Sequence, residues 1–312
     1  MRSSERIIVN LTICVMIRNE VPYLVEWCDH HFRQSVDQFV LYDDHSTDDT
    51  SLVPFLYHRD SVSLYSANPY RNNKVFHDFG AMHMEKQLFI LKHCNARSAG
   101  RSQYIAAIDV DEFLTSPRSG TIWKYIEQAK LPAQLRIKSI RYGTSGLKRD
   151  FSGQITIDPF CGSVEVLAAN NETAKGAFPL VRAANPRRAP HPELDDDFEA
   201  LYNRICLLNK TREESLGCTH ADGKSIWRPD LCQVAGVHGC ESRQHGGTFK
   251  APLEGLRLNH FAFRSREHVE TLNSLLKPTK KAAFDAFDAN WFSLRYDPII
   301  GKEKREVTCL FC

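Results

Sequence analysis

Short apolar blocks follow one another through the first third of the chain, and their period changes in a regular order. Ile7–Ile17 is a near-continuous apolar run of strand length, Val21–Gln34 carries apolar positions at helical spacing, and Gln38–Tyr42 is a second short apolar run. After the polar stretch Asp43–Thr50 the pattern predicts a short helix through Leu56, a strand over Val62–Tyr65, a long helix over Phe79–Arg97 and a strand over Gln103–Ile108. Strands and helices in alternation mark an α/β domain built on a largely parallel sheet. Each strand runs into a polar cluster: Arg18-Asn19-Glu20, Asp43–Asp49 and Asp109-Val110-Asp111-Glu112. In open parallel sheets that carboxyl edge is where ligands bind.

The second half is less regular. Ile122–Gln128 reads as a helix, Leu135–Tyr142 as a strand, and Gln154–Phe160 alternates like a half-buried strand. Ala183–Asp197, with three prolines and the acid run Asp195–Asp197, reads as an exposed loop. A short strand pair is expected at Lys224–Trp227 and Gln233–His238, and a helix at Arg266–Leu276.

Length and composition narrow the class. A chain of 312 residues that is 42% hydrophobic buries a substantial core and fits one large α/β domain. Forty Lys+Arg against 38 Asp+Glu leave a net charge of +2, so no global field points to nucleic acid or a membrane surface as partner. The first apolar run is broken by Asn10 and Thr12 and reads as a strand, not as a signal peptide or membrane anchor. Ten cysteines are too sparse for a disulfide scaffold at this length. Those in apolar runs, such as Cys14, are expected to be buried free thiols. Cys218, Cys232 and Cys240, with His220 and His238 between them, leave a disulfide or a zinc site open, although the spacing matches no common zinc pattern.

Two constellations carry chemistry. Asp109 and Asp111 stand two positions apart at the end of an apolar strand, where the strand period of two would put both carboxylates on one side. Such a pair suits a hard divalent cation bridging protein to substrate phosphates. The bland alternative is an exposed loop whose acids are solvated. Tyr42-Asp43-Asp44-His45-Ser46-Thr47-Asp48-Asp49-Thr50 could present a carboxylate to a pyrimidine N–H, or Ser46 or Thr47 with Asp49 could cap the next helix.

Ile13–Glu20, Tyr23–Trp27, Tyr42–Thr50 and Ile108–Phe113, in this order and spacing, resemble glycosyltransferase family 92 and its family-2-like relatives. The likeness continues through Tyr142–Gly146, Lys224–Pro229, Val237-His238 and Leu258–Phe261 with Arg264-Ser265. The resemblance implies a GT-A fold, a Rossmann-like mixed central sheet flanked by helices in one domain over residues 7–300. A nucleotide-binding half would span about 7–115, an acceptor-binding half about 116–300, and a tail 301–312.

It further implies a nucleotide-sugar donor, a UDP-sugar and in particular UDP-galactose, with Mn²⁺ or Mg²⁺, and a glycan or glycoconjugate acceptor. Asp44 would bind the base, with Arg18 and Glu20 nearby, and Asp109 and Asp111 would hold the metal. A late histidine, His260 or its competitor His238, would complete the metal site, with Arg264 meeting the diphosphate and Lys224 and Arg228 adding positive charge. Inversion at the anomeric carbon is implied. The first candidate for the base is Asp158, where relatives commonly read Glu-Arg-Phe and this chain reads Asp-Pro-Phe, with Glu165 and Asp195–Asp197 as alternatives. Relatives are often Golgi enzymes with an N-terminal anchor, which this chain does not show.

Two other classes compete. A GT-A-shaped module could bind sugar nucleotide or glycan without turnover. A haloacid-dehalogenase-like phosphatase also uses Asp-x-Asp, but on the first strand of its core, whereas three strand-like segments precede Asp109 here.

Overall fold

The computed structural model describes residues 8–58, 60–67, 83–130, 132–141, 154–158, 163–167, 223–242 and 248–261. In chain order the elements are β1 (Val9–Ile17), α1 (Val21–Arg33), β2 (Gln38–Asp43), a 3₁₀ helix (Asp49–Leu56), β3 (Val62–Ser66), α2 (His83–Ser98), β4 (Ser102–Ala107), β5 (Glu112–Thr115) and α3 (Ile122–Gln128). They continue with β6 (Gln134–Arg136), β7 (Lys138–Arg141), β8 (Gln154–Asp158), β9 (Ser163–Leu167), β10 (Ser225–Trp227), β11 (Cys232–Gly236), β12 (Gly239–Ser242), β13 (Thr248–Lys250) and β14 (Arg257–His260). The expected Arg266–Leu276 helix and Ala183–Asp197 loop lie outside the described residues.

The chain groups into two interleaved units, one of residues 1–110, 119–137 and 222–251, the other of residues 111–118, 138–221 and 252–312. The first unit holds a seven-stranded sheet in the order β13-β6-β10-β4-β1-β2-β3. Its strands β4, β1, β2 and β3 are mutually parallel, while β10 runs antiparallel to β4 and β6. This is the α/β class with the mixed central sheet that was expected. Leu11, Ile13, Phe39 and Leu41 are fully buried, which explains why β1 and β2 read as continuous apolar runs. Helix α1 carries Pro22 in its first turn, where a fixed φ is well suited, and buries Leu24, Trp27 and Cys28.

Three expectations are corrected. Leu135–Tyr142 is not one strand: β6 joins the seven-stranded sheet and β7 joins β14 in the other unit, with buried Ile137 between them. Nor do the two predicted late strands pair with each other. The fully buried Ile226 and Trp227 draw β10 into the central sheet, whereas β11 turns back at Val237-His238 and pairs with β12. Cys14 is not a free thiol but is bridged to Cys94, and Cys232 is bridged to Cys240, so neither Cys232 nor Cys240 is available to a zinc ion. Cys28 fits the buried free-thiol reading, and burial first and the neighbouring Asp29 second push its thiol well up.

The second unit contains a three-stranded sheet, β5-β14-β7, in which β14 is antiparallel to β5 and parallel to β7. Asn259, wholly buried, donates to the Phe113 carbonyl at 3.3 Å and the Thr115 hydroxyl at 3.1 Å, tying β14 to β5. A hairpin of β8 and β9, paired from Gln154↔Leu167 to Asp158↔Ser163, belongs to the same unit.

Candidate functional site

The carboxyl end of β2 opens into a turn that is fixed by its own polar groups. Asn19 and His45 take positive φ, 54° and 62°. The Asn19 side chain accepts from Thr47 N–H at 2.7 Å, Asn19 N–H donates to the Ser46 hydroxyl at 2.9 Å, and Ser46 N–H donates to Asp43 at 2.9 Å. The helix cap is Asp48, not Ser46, Thr47 or Asp49. Its carboxylate accepts from Thr50 N–H at 3.2 Å and the Thr50 hydroxyl, and its other oxygen takes Val21 N–H at the start of α1, also at 3.2 Å. A single side chain thus satisfies one backbone N–H at the start of each of two helices.

Asp44 is free of that network. It is buried, and both of its carboxylate oxygens are met by the Lys86 ammonium at 2.8 and 3.1 Å, with His45 Nδ1 at 3.2 Å. Burial pushes the Asp44 carboxyl up, but hydrogen bonds and charge from Lys86 and His45 outweigh it and hold the group below the usual carboxylate range. Lys86 is itself 5% exposed on α2, and the sequence reading missed it. The available signal was its place in the predicted long helix, facing a strand end that carries an acid.

A second charged pair lies at the end of β4. The chain leaves the strand at Ala107, and Asp109 accepts from Lys224 Nζ at 3.0 Å. Here the strand-period argument is corrected: Ile108–Asp111 is not strand, and β5 starts only at Glu112, so pleat does not set how Asp109 and Asp111 face. The antiparallel register of β10 on β4, Ile226↔Ala106 and Trp227↔Ile105, puts Lys224 at the carboxyl end of β4. The same register carries Arg228 to the opposite end, where it pairs with Asp230 at 2.8 Å and lines a cavity of about 240 Å³ with Ile8, Gly100 and Tyr104. Arg228 is therefore removed from the expected site. A small cleft lined by Met16, Gln87, Ile108, Asp109, Lys224 and Val237 marks the carboxyl edge of β1 and β4.

In the other unit, Asp111 and His260 come together. The β5–β14 register sets His260 opposite Glu112, and Phe261 N–H donates to the Asp111 carbonyl at 2.7 Å. His260 Nε2 lies 3.3 Å from Asp111 Oδ2, and Nδ1 lies 3.9 Å from Oε1 of buried Glu112. His238 sits exposed at the turn of the β11–β12 hairpin, with its carbonyl held by the Ser225 hydroxyl at 2.7 Å. Arg18 is exposed just beyond β1, and Glu20 is the cap residue of α1 without a side-chain capping bond. Asp158 is the last residue of β8, while Arg264 lies outside the described residues. Among the described residues no group of three or more His, Cys, Asp or Glu side chains is assembled as a metal site.

The family model of glycosyltransferase family 92 matches residues 9–288, most of the chain. The chain belongs to glycosyltransferase family 92. A family 92 protein of Ricinus communis is 28% identical over 155 residues, 48% of this chain and 26% of its own length. One from Oryza sativa subsp. japonica is 28% identical over 140 residues, 44% of this chain and 22% of the relative. The match thus spans about a quarter of the length of these relatives. A crystal structure of glucosyl-3-phosphoglycerate synthase from Mycobacterium tuberculosis, in complex with Mn²⁺, UDP and glucosyl-3-phosphoglycerate, is similar at a TM-score of 0.32 and 13% identity. That match covers 74% of this chain and 62% of the other. A score so low carries no structural argument. Membership of family 92 rests on the family match, which runs through both charged strand ends.

Proposed function

We propose that this family 92 chain is a metal-dependent, inverting glycosyltransferase that moves a sugar from a uridine diphosphate sugar, such as UDP-galactose, to a hydroxyl of a glycan or glycoconjugate. The observation that carries the reading is the placement of Asp44 and Asp109 past the carboxyl ends of β2 and β4, on either side of β1, each paired with a lysine that is largely buried. Two strand spacings separate them, ~10 Å, which is about the reach from a nucleoside base to its diphosphate. In this reading Asp44, kept ionised beside Lys86, accepts the N–H of the base. Asp109 and Lys224 serve the diphosphate end, and Arg18, Glu20 and Arg264 remain candidates around the nucleotide.

The residues present fit a hard divalent cation. Asp111 and His260, brought together within one unit, supply a carboxylate and an imidazole, donors suited to Mn²⁺ or Mg²⁺, and Asp109 is kept as the second carboxylate on the sequence motif alone. The 3.3 Å between His260 Nε2 and Asp111 Oδ2 is close to the ~3 Å that separates adjacent ligands about 2.1 Å from one ion. His260 is favoured over His238 because it already faces an aspartate of the pair. The cation would supply electrostatic stabilisation of the departing diphosphate. Lys224 would share that role, held at the carboxyl edge by Asp109. Asp158 is the proposed acceptor base.

Calorimetric titration of UDP, GDP and inorganic phosphate, each with Mn²⁺ and with EDTA, tests the reading. Metal-dependent preference for UDP is expected, and absence of nucleotide binding under both conditions would sink it.

A further inference from the structure

Resting on the reading of His260 as a metal ligand, the geometry points to Glu112 as the positioning residue that fixes which ring nitrogen His260 presents. Glu112 is 4% exposed although it is the residue that follows the Asp-x-Asp pair. A carboxylate so enclosed is kept there at a desolvation cost, which calls for a job that an apolar residue could not do.

Its place follows from the sheet. Glu112 opens β5 directly opposite His260 at the end of β14, so the two side chains stand on the same face of an antiparallel pair. Asn259, locked to Phe113 and Thr115, holds that register, and the Phe261 N–H bond to the Asp111 carbonyl holds the chain on the far side of His260. The imidazole therefore lies between two carboxylates, Asp111 on its Nε2 side at 3.3 Å and Glu112 on its Nδ1 side at 3.9 Å. A neutral imidazole has one N–H and one lone pair. At 3.9 Å the Glu112 carboxylate is in charge contact with Nδ1 rather than hydrogen-bonded to it, and its negative charge favours the N–H at Nδ1, which leaves the lone pair of Nε2 facing Asp111. That orientation is the one a cation shared by Asp111 and His260 requires, and a carboxylate behind a ligating histidine also raises its basicity.

The test compares Mn²⁺ affinity, by calorimetry on the full chain without nucleotide, for the parent protein, Glu112→Leu, Glu112→Gln and His260→Ala. Glu112→Leu is expected to weaken Mn²⁺ binding roughly 10- to 100-fold, the range for lost outer partners of metal ligands. Glu112→Gln, which keeps an acceptor oxygen facing Nδ1, is expected to recover most of it. If His260→Ala weakens binding while both Glu112 variants match the parent, the positioning role is overturned. If His260→Ala itself binds Mn²⁺ like the parent, the metal-ligand reading has failed instead. A readout independent of the variants' folding is the ¹⁵N spectrum of the parent's neutral His260 ring: protonation at Nδ1 supports the inference, and protonation at Nε2 overturns it.

Discussion

Replacing Lys86 by leucine removes the ammonium and leaves the Asp44 carboxylate inside the protein. In the parent, two charge-assisted bonds of 2.8 and 3.1 Å hold a pair whose side chains are 6% and 7% exposed. Removing one member of a buried ion pair costs about 3–5 kcal/mol, most of it the penalty of the stranded charge. His45 stays beside Asp44, but its ring is 44% exposed and its contribution is screened, so the lower end, ~3 kcal/mol at pH 7, is the expectation. The pH dependence gives a second handle. Asp44 in the parent is held below its usual range, so the pair stabilises above the unfolded carboxylate pKa near ~3.9 and that stability is lost as pH falls through the folded value. In Lys86→Leu the unpaired, buried carboxyl rises instead and takes up a proton on mild acidification. Urea unfolding at pH 7 and pH 5 should therefore show a large loss at pH 7 that shrinks at pH 5. Adding Asp44→Asn should restore at least half of it. A loss below ~1 kcal/mol, or an equal loss at both pH values with no recovery in the double variant, would refute the argument.

Asp109→Asn and Asp111→Asn should each abolish the Mn²⁺-dependent part of UDP binding with little change in unfolding free energy; unchanged affinity removes that residue from the metal site. Arg228→Ala should leave UDP binding within about twofold, since β10 carries Arg228 to the far end of β4; a tenfold loss would contradict the register argument. Asp158→Asn should spare UDP binding and eliminate sugar transfer, and retained turnover would move the base elsewhere. Gly239→Ala should destabilise by about 1–3 kcal/mol, because Gly239 has φ +150° and a Cβ there would meet the Ser225 hydroxyl at 2.9 Å and Gln134 Nε2 at 3.2 Å. Near-parent stability in urea would show that the hairpin gives way without cost.

Period and polarity suffice where a segment's fate is decided by its own residues. β1, α1, β2 and α3 sit within two residues of where their apolar patterns place them, because each buries the face that the pattern displays. Long-range partners are another matter. Nothing in Leu135–Tyr142 reveals that the chain changes sheets at Ile137, since both halves mix apolar and polar residues and the choice depends on β10 and β14, some 90 and 120 residues later. Cys14 and Cys94 meet across 80 residues for the same reason: each lies in an ordinary apolar setting, and only the packing of α2 on β1 brings them together.

The candidate site divides along the same line. Asp44, Asp109 and Asp111 are legible because they follow apolar strands and so must emerge at a carboxyl edge. Their counter-charges are not, and those decide what the carboxylates can do. Lys86 comes from a helix that begins 39 residues after Asp44, Lys224 stands 115 residues after Asp109, just before a strand that enters the sheet antiparallel, and Glu112 matters only through its register with His260. An acid at a strand end has one meaning when solvated and another when enclosed with a lysine. In the second case the charge is fixed before any ligand arrives, and a nucleotide meets preset dipoles instead of water that must be reoriented. The counter-charge, contributed from far along the chain, is what separates a binding edge from an acidic loop.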